Sequence, residues 1–165
     1  NPEISEEIYR QVIYRKTAKL FEAAAQVGAC LAETHEDAMI AYGKHLGMAF
    51  QIADDVLDYQ GDIEVTGKNI GSDLAEGKMT LPLIFARDNA ESGDASLIRK
   101  AITNKTADNF GAILAVVNSS GGLSYSRQQA ANEVELAKHA LIGLPDGEYK
   151  NVLLDLAEFS ISRVN

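Results

Sequence analysis

FQIADDVLDYQGDIEVTGKNIGSDLAEGKMTLP, residues 50–82, is the stretch on which the reading of this chain turns. It begins as an apolar run interrupted by three aspartates, Asp54, Asp55 and Asp58, and continues through glycines at 61, 67, 71 and 77 with two spaced lysines, Lys68 and Lys78. Carboxylates among apolar residues are costly unless an ion pair, a metal or solvent takes up their charge. If the run is helical, Asp54 and Asp58 stand at i and i+4, with Cβ atoms roughly 5–6 Å apart, and Asp55 lies about 100° around from Asp54. Like charges at that spacing repel on a bare helix, so the pair makes best sense beside a cation. An oxygen-only donor set suits a hard ion, and Mg2+ is ordinarily held by one or two carboxylates together with water and substrate phosphates. The plainer alternative is an acidic pair capping a solvated helix end.

Outward from this stretch the apolar residues recur at helical spacing. Ile8, Val12, Leu20, Phe21, Ala24, Ala25, Gly28 and Leu31 mark a long first helix, with Ser5 as its N-cap. Thr34 followed by Asp37 resembles a capping arrangement, opening a second helix that runs to about Tyr59 and carries Gly43 and Gly47 as small contact points for close packing. Residues 61–78 read as an ordered loop. A helix follows in TLPLIFARDNA, with Pro82 tolerable only in its first turn. Shorter helical patterns cover residues 95–103 and 109–119. Helices then span residues 123–141 and 149–163, set off by the breaks SSGG at 119–122 and GLPDG at 143–147. No stretch alternates with period two, so the expected fold is an all-α bundle, a single domain over residues 1–165.

Composition narrows the function. With 165 residues and 46% hydrophobic content the chain can build a real core, and its net charge of −9 excludes a protein that neutralises nucleic-acid phosphates over a broad face,. Any anionic partner is held locally. The lysines on "TGK" and "EGK" supply that possibility, because glycine lets backbone N–H groups turn toward an anion and each lysine adds a point charge. Lys16 and Thr17 are ambiguous, either surface residues or a charge and a hydroxyl aimed at the same anion. Together the carboxylates, a metal and the lysines describe a site for a diphosphate bridged by Mg2+. Other signatures fail in detail. GSDLAEGKM lacks the spacing and the closing Ser or Thr of a P-loop, no EF-hand ligand series follows Asp58, and His35, His45 and His139 stand in no metal-ligand spacing. Cys30 has no partner for a disulfide. No apolar run is long enough to span a bilayer and no signal peptide is evident, so a cytoplasmic location is expected.

YRKTAKLFEAAAQVGA, FQIADDVLDY and TGKNIGSDLAEGKMTLPLIFA, in this order and spacing, resemble the C-terminal half of a trans-isoprenyl (polyprenyl) diphosphate synthase, in particular the bacterial octaprenyl-forming members. The likeness extends through GGLSYSRQQAANEVELA to LAEFSISR and so covers the whole chain. It implies an isoprenoid-synthase helical bundle, of which this chain is an incomplete, C-terminal portion. Carried over position by position, Asp54, Asp55 and Asp58 resemble the second aspartate-rich motif, which holds Mg2+ and diphosphate. Lys16 and Thr17 resemble the pair that contacts the allylic diphosphate and whose helix distortion turns carbonyls toward the developing cation. Phe50 and Gln51 match the "FQ" lining the cavity near the reacting carbons, with Gln51 also at the diphosphate, and Lys68 and Lys78 match the loop lysines that grip it. The reaction so implied condenses isopentenyl diphosphate with an allylic diphosphate into a long-chain, octaprenyl-like all-trans polyprenyl diphosphate, in a homodimer when intact.

Nothing here matches the first aspartate-rich motif of that family. The chain alone is therefore expected to be inactive, with apolar surface exposed on its first two helices unless another chain covers it. Two alternatives stand beside this one: a terpene cyclase of the same fold, disfavoured by the lysine-bearing loop, and a non-catalytic helical subunit or interaction module that keeps the motifs.

Overall fold

The computed structural model describes residues 1–60 and 71–162. Among the described residues there are helices and turns and no strand, the all-α architecture expected. The elements are α1 (Glu6–Ile13), a π-helical segment (Tyr14–Ala18), α2 (Lys19–Ala32), α3 (Glu36–Gln60), the single turn α4 (Ser72–Ala75), α5 (Leu81–Asn89), α6 (Ser92–Asn104), α7 (Phe110–Ser119), α8 (Gly122–Ala140) and α9 (Glu148–Ile161). Part of the expected loop, residues 61–70 with Lys68, lies outside the described residues. The remainder contains α4 rather than loop alone.

Local chemistry accounts for the boundaries. Ser5 caps α1, its hydroxyl accepting the Ile8 amide at 3.3 Å and its carbonyl the Tyr9 amide at 3.0 Å,. The expected capping role of Thr34 is corrected: Glu33 turns left-handed at φ 52, and the Glu33 and Thr34 amides close α2 on the Cys30 and Ala29 carbonyls. Thr34 is thus spent on ending one helix, and the next opens at Glu36 with the His35 carbonyl accepting the Met39 amide.

The chain forms two compact units, Asn1–Tyr9 with Asp54–Arg127, and Arg10–Ala53 with Gln128–Asn165. In the first, Leu74, Leu81, Leu83, Ile98, Ile113 and Val117 are fully buried. Pro82 stands in the first turn of α5, where its missing N–H costs nothing,. Gly122 lets α8 approach α5 so closely that a methyl there would meet the Pro82 carbonyl at 2.6 Å. Gly71 adopts φ +80 with the Phe110 ring against its Cα, and Phe110 in turn stacks on Tyr59 at 6.1 Å between centroids. That position needs glycine for both its backbone and its neighbour.

In the second unit the buried set includes Ile13, Ala18, Tyr42, Ala49, Ile52 and Val134. The closest helix approach is set by Gly43 and Gly47: a Cβ on Gly43 would lie 2.5 Å from the Phe21 carbonyl oxygen, and one on Gly47 2.5 Å from the Ala18 Cα. Both glycines therefore serve close packing, as expected. The apolar rhythm of the first helices is real, yet much of it faces outward. Ile8, Val12, Leu20, Val27 and Leu31 are exposed, whereas Tyr9, Ile13, Ala18 and Ala29 are buried.

Candidate functional site

Lys16 and Thr17 fall inside the π-helical segment, where the Lys19 amide reaches back five residues to the Tyr14 carbonyl. π turns are rare and occur mostly as single turns within α-helices, frequently at functional sites. Lys16 is exposed and Thr17 half-buried. The Thr17 hydroxyl donates to Gln51 Oε1 at 2.6 Å. Gly43, Gly47 and Gln51 recur every four residues and so share one face of α3. Because the first two carry no side chain, α3 and the π segment close until Thr17 and Gln51 meet. Next to Gln51, the Phe50 ring packs on Phe21 with centroids 5.5 Å apart. These rings, with Leu46, Leu156, Phe159 and Ser160, line an apolar cavity of about 200 Å³.

Polar contacts bracket the π segment within the same unit. On one side the Tyr14 hydroxyl donates to Glu22 Oε2 at 2.7 Å, and Lys19 pairs with the other oxygen of Glu22. The Lys19 hydrogen bond, against the opposing effect of burial, holds the Glu22 carboxyl below the ordinary range,. On the other side Arg10 donates to Glu133 and Gln129 on α8, and Glu133 also holds His45.

The acidic residues belong to the first unit. Asp55 is buried and accepts the Tyr9 hydroxyl at 2.6 Å. Asp58 is buried too, and it caps α4: Oδ1 accepts the Ser72 amide at 3.1 Å and the Ser72 hydroxyl at 2.7 Å, while Oδ2 accepts the Asp73 amide at 3.1 Å. Burial pushes the Asp58 carboxyl up, the nearby Asp73 charge adds to this, and the Ser72 and Asp73 hydrogen bonds resist it,. Asp54 is half-buried. Lys78 pairs with Asp73 at 2.8 Å and with Glu76 at 2.7 Å. Those two bonds, Asp73 foremost, hold its ammonium above the ordinary lysine range.

Thus the three aspartates share α3 but are engaged differently, and Lys78 grips carboxylates. Among the described residues no three His, Cys, Asp or Glu side chains converge on a ready-made metal site. The donor chemistry nevertheless fits a hard cation, since all three candidates offer oxygen and the buried Asp58 carboxylate is disfavoured by burial in a way that a cation would reverse. Several partners were not singled out from sequence. Tyr9 carries no signal that it would meet Asp55, 46 residues away. Ser72 and Asp73 open α4, and nothing local marks Asp58, 14 and 15 residues away, as the carboxylate that caps them. Glu133 is flanked by Ala130, Val134 and Ala137 at helical spacing, which places it on the buried face of α8,.

An all-α chain with a diaspartate run on one helix, a π-distorted Lys-Thr pair and a glutamine joined to that threonine is of the isoprenoid-synthase type. Residues 1–118 match the polyprenyl synthetase family model, and the chain belongs to that family. It is 44% identical over 167 residues to octaprenyl diphosphate synthase of Haemophilus influenzae, covering 99% of this chain and 51% of that protein. It is 41% identical over 165 residues to an all-trans-nonaprenyl-diphosphate synthase (geranyl-diphosphate specific) of Rhodobacter capsulatus, with the same coverage of 99% and 51%. Among solved structures, polyprenyl synthase from Caulobacter crescentus complexed with calcium and isoprenyl diphosphate superposes with a TM-score of 0.92 at 37% identity, covering 100% of this chain and 52% of that one. The chain spans about half the length of the curated relatives it matches.

Proposed function

We propose that this chain is the C-terminal part of a prenyltransferase that condenses isopentenyl diphosphate with an allylic diphosphate to give a long-chain all-trans polyprenyl diphosphate. The observation that carries this reading is the Thr17–Gln51 hydrogen bond at the π-helical segment. It joins two residues, each on a different helix, that would otherwise be unremarkable polar side chains. Alignment over 99% of this chain with octaprenyl and nonaprenyl synthases supports the long-chain product class, and the octaprenyl length itself is our inference from the first of these. The Caulobacter relative binds calcium and isoprenyl diphosphate, which supports a divalent ion and a diphosphate as ligands here.

Lys16 places a positive charge, and Thr17 a hydroxyl oriented by Gln51, toward the allylic diphosphate. Lys68 and Lys78 add charge from the loop, Lys78 after exchanging Asp73 and Glu76 for the ligand. Phe50 and Phe21 present an apolar wall that keeps water from the allylic cation. Asp54, Asp55 and Asp58 would hold Mg2+, which when bound supplies positive charge to the departing diphosphate. Isopentenyl diphosphate then adds to the cation and a proton leaves. No protein nucleophile takes part. The intact enzyme is proposed to be a cytoplasmic homodimer, and the exposed face of α2 is covered in it; among the described residues no helix is long and apolar enough to cross a membrane.

The test is incorporation of labelled isopentenyl diphosphate into long-chain product by the intact enzyme, with and without Mg2+ and an allylic primer. Incorporation dependent on both is expected, and none would overturn the reading. Residues 1–165 alone should give no product, because they span about half of the relatives' length and a partial bundle cannot keep water from the cation. The non-catalytic alternative predicts silence from the intact protein as well.

A further inference from the structure

One group of polar side chains that this chemistry leaves unused gathers around Glu133. The residue is 7% exposed, and its two oxygens are taken by Arg10 Nη1 and His45 Nδ1, each at 2.7 Å. The second terminal nitrogen of Arg10 donates to Gln129 Oε1 at 2.7 Å. Gln129 and Glu133 are one turn apart on α8, so the planar guanidinium meets a matched pair of acceptors. Burial alone would raise the Glu133 carboxyl, yet the His45 hydrogen bond and the charges of His45 and Arg10 bring it below the ordinary range. One buried carboxylate thus ties α8 to both α1 and α3.

A buried ion pair is poor evidence of stabilisation, because well-packed apolar residues often serve as well. Its better-supported use is to fix register, and its placement here suits that use. Arg10 lies one turn before the π-helical segment. His45 lies between Gly43 and Gly47, the two glycines on which that segment and α2 close. Tyr14 at the start of the segment and Lys19 just past its end are both tied to Glu22. A π turn is a seldom-populated backbone state that survives where its surroundings fix both ends.

We propose that Glu133 is a positioning residue for the condensation: through Arg10 and His45 it fixes the π-helical segment against α3, so that Thr17 stays joined to Gln51 where the allylic diphosphate binds. The anchoring stands on geometry alone, while its effect on catalysis rests on the function proposed above. Two measurements separate them. The first is hydrogen exchange at amides 14–19 in Glu133→Gln, which keeps the shape and loses the charge, and in Arg10→Lys, which keeps the charge and loses the fork. Glu158→Gln, removing an exposed partner of Lys138, is the control. Exchange should quicken about tenfold in the first two variants, stay unchanged in the control, and stay at the wild-type rate in α5 and α6. The second is kinetics of the intact enzyme, where Glu133→Gln should raise KM for the allylic diphosphate about tenfold and leave KM for isopentenyl diphosphate unmoved. Unchanged exchange at 14–19 overturns the anchoring. So does quickening spread over every helix, while a fall in kcat with both KM values intact, which is what a merely stabilising residue gives, overturns the positioning role in catalysis. Wild-type enzyme that condenses neither substrate refutes the assigned reaction instead, and the exchange result still decides the anchoring.

Discussion

Gly47→Ala is the most informative single change available, because one methyl tests the packing and the site together. Its Cβ would sit 2.5 Å from the Ala18 Cα and 3.0 Å from the Ala18 Cβ, against an ordinary carbon–carbon contact of roughly 3.5–4.0 Å. The nearest atom is backbone, so the helices must part by about 1 Å to admit the methyl. Overpacking of this kind costs about 1–3 kcal/mol, offset by the ~0.5–1 kcal/mol that alanine gains over glycine in a helix interior. The net loss of about 0–2.5 kcal/mol corresponds to a melting temperature lower by up to roughly 10 °C for a chain of this size. The same movement would stretch the Thr17–Gln51 bond from 2.6 Å to about 3.6 Å, past hydrogen-bonding range, and a 1 Å misplacement can cost about a hundredfold in rate. Gly28→Ala is the matched comparison: nothing lies within 4 Å of its added methyl, so it should raise stability by ~0.5–1 kcal/mol. Thermal melts of both variants of the 165-residue chain, with kinetics on the intact enzyme, decide the matter. Gly47→Ala as stable as Gly28→Ala would refute the close-approach argument.

Asp54→Ala in the intact enzyme should lower kcat by more than about a hundredfold while changing stability by less than ~1 kcal/mol, since the residue is half-buried,; near-normal turnover with the same metal requirement would contradict its role. Lys68→Ala should raise KM for the allylic diphosphate about tenfold by removing a charge-assisted contact, and unchanged kinetics for that substrate would count against it. Glu133 gives a pH dependence. Its folded value is depressed, so its contribution is complete above the unfolded pKa of about 4.3 and is lost as pH falls through the lower folded value. Urea titrations between pH 3 and 7 should therefore show wild type losing stability over Glu133→Gln at the acid end, and parallel curves would exclude the ion pair as the cause.

The helical fold was readable because it rests on local period: the spacing of apolar residues, Pro82 in a first turn, and breaks at the paired glycines all act within a few positions. Gly43 and Gly47 were readable for the same reason. The resemblance supplied roles for Thr17 and Gln51, but their mutual bond depends on how closely two helices approach, which no window of sequence contains. Asp58 illustrates the limit. Its place in the acidic run suggests a metal ligand, whereas its partners Ser72 and Asp73 arrive from 14 and 15 residues away. Glu133 was passed over because a buried charge becomes intelligible only once Arg10 and His45, each on another helix, are seen to meet it.

The π-helical segment also governs how length can change in this part of the chain. One residue beyond the α-helical count shifts the phase of everything after it by about 100°. A helical wheel drawn straight through from Glu6 to Ala32 therefore puts Val12 and Leu20 on a common inward stripe that the folded chain does not have. Deleting one residue between Tyr14 and Ala18 would close the segment to an α turn and leave Phe21 and Glu22 in phase with α3, at the cost of the placement of Lys16 and Thr17,. Alignments and designed chimeras should therefore place a one-residue length difference in this part of the chain inside the segment, where the turn takes it up without rotating α2 against α3.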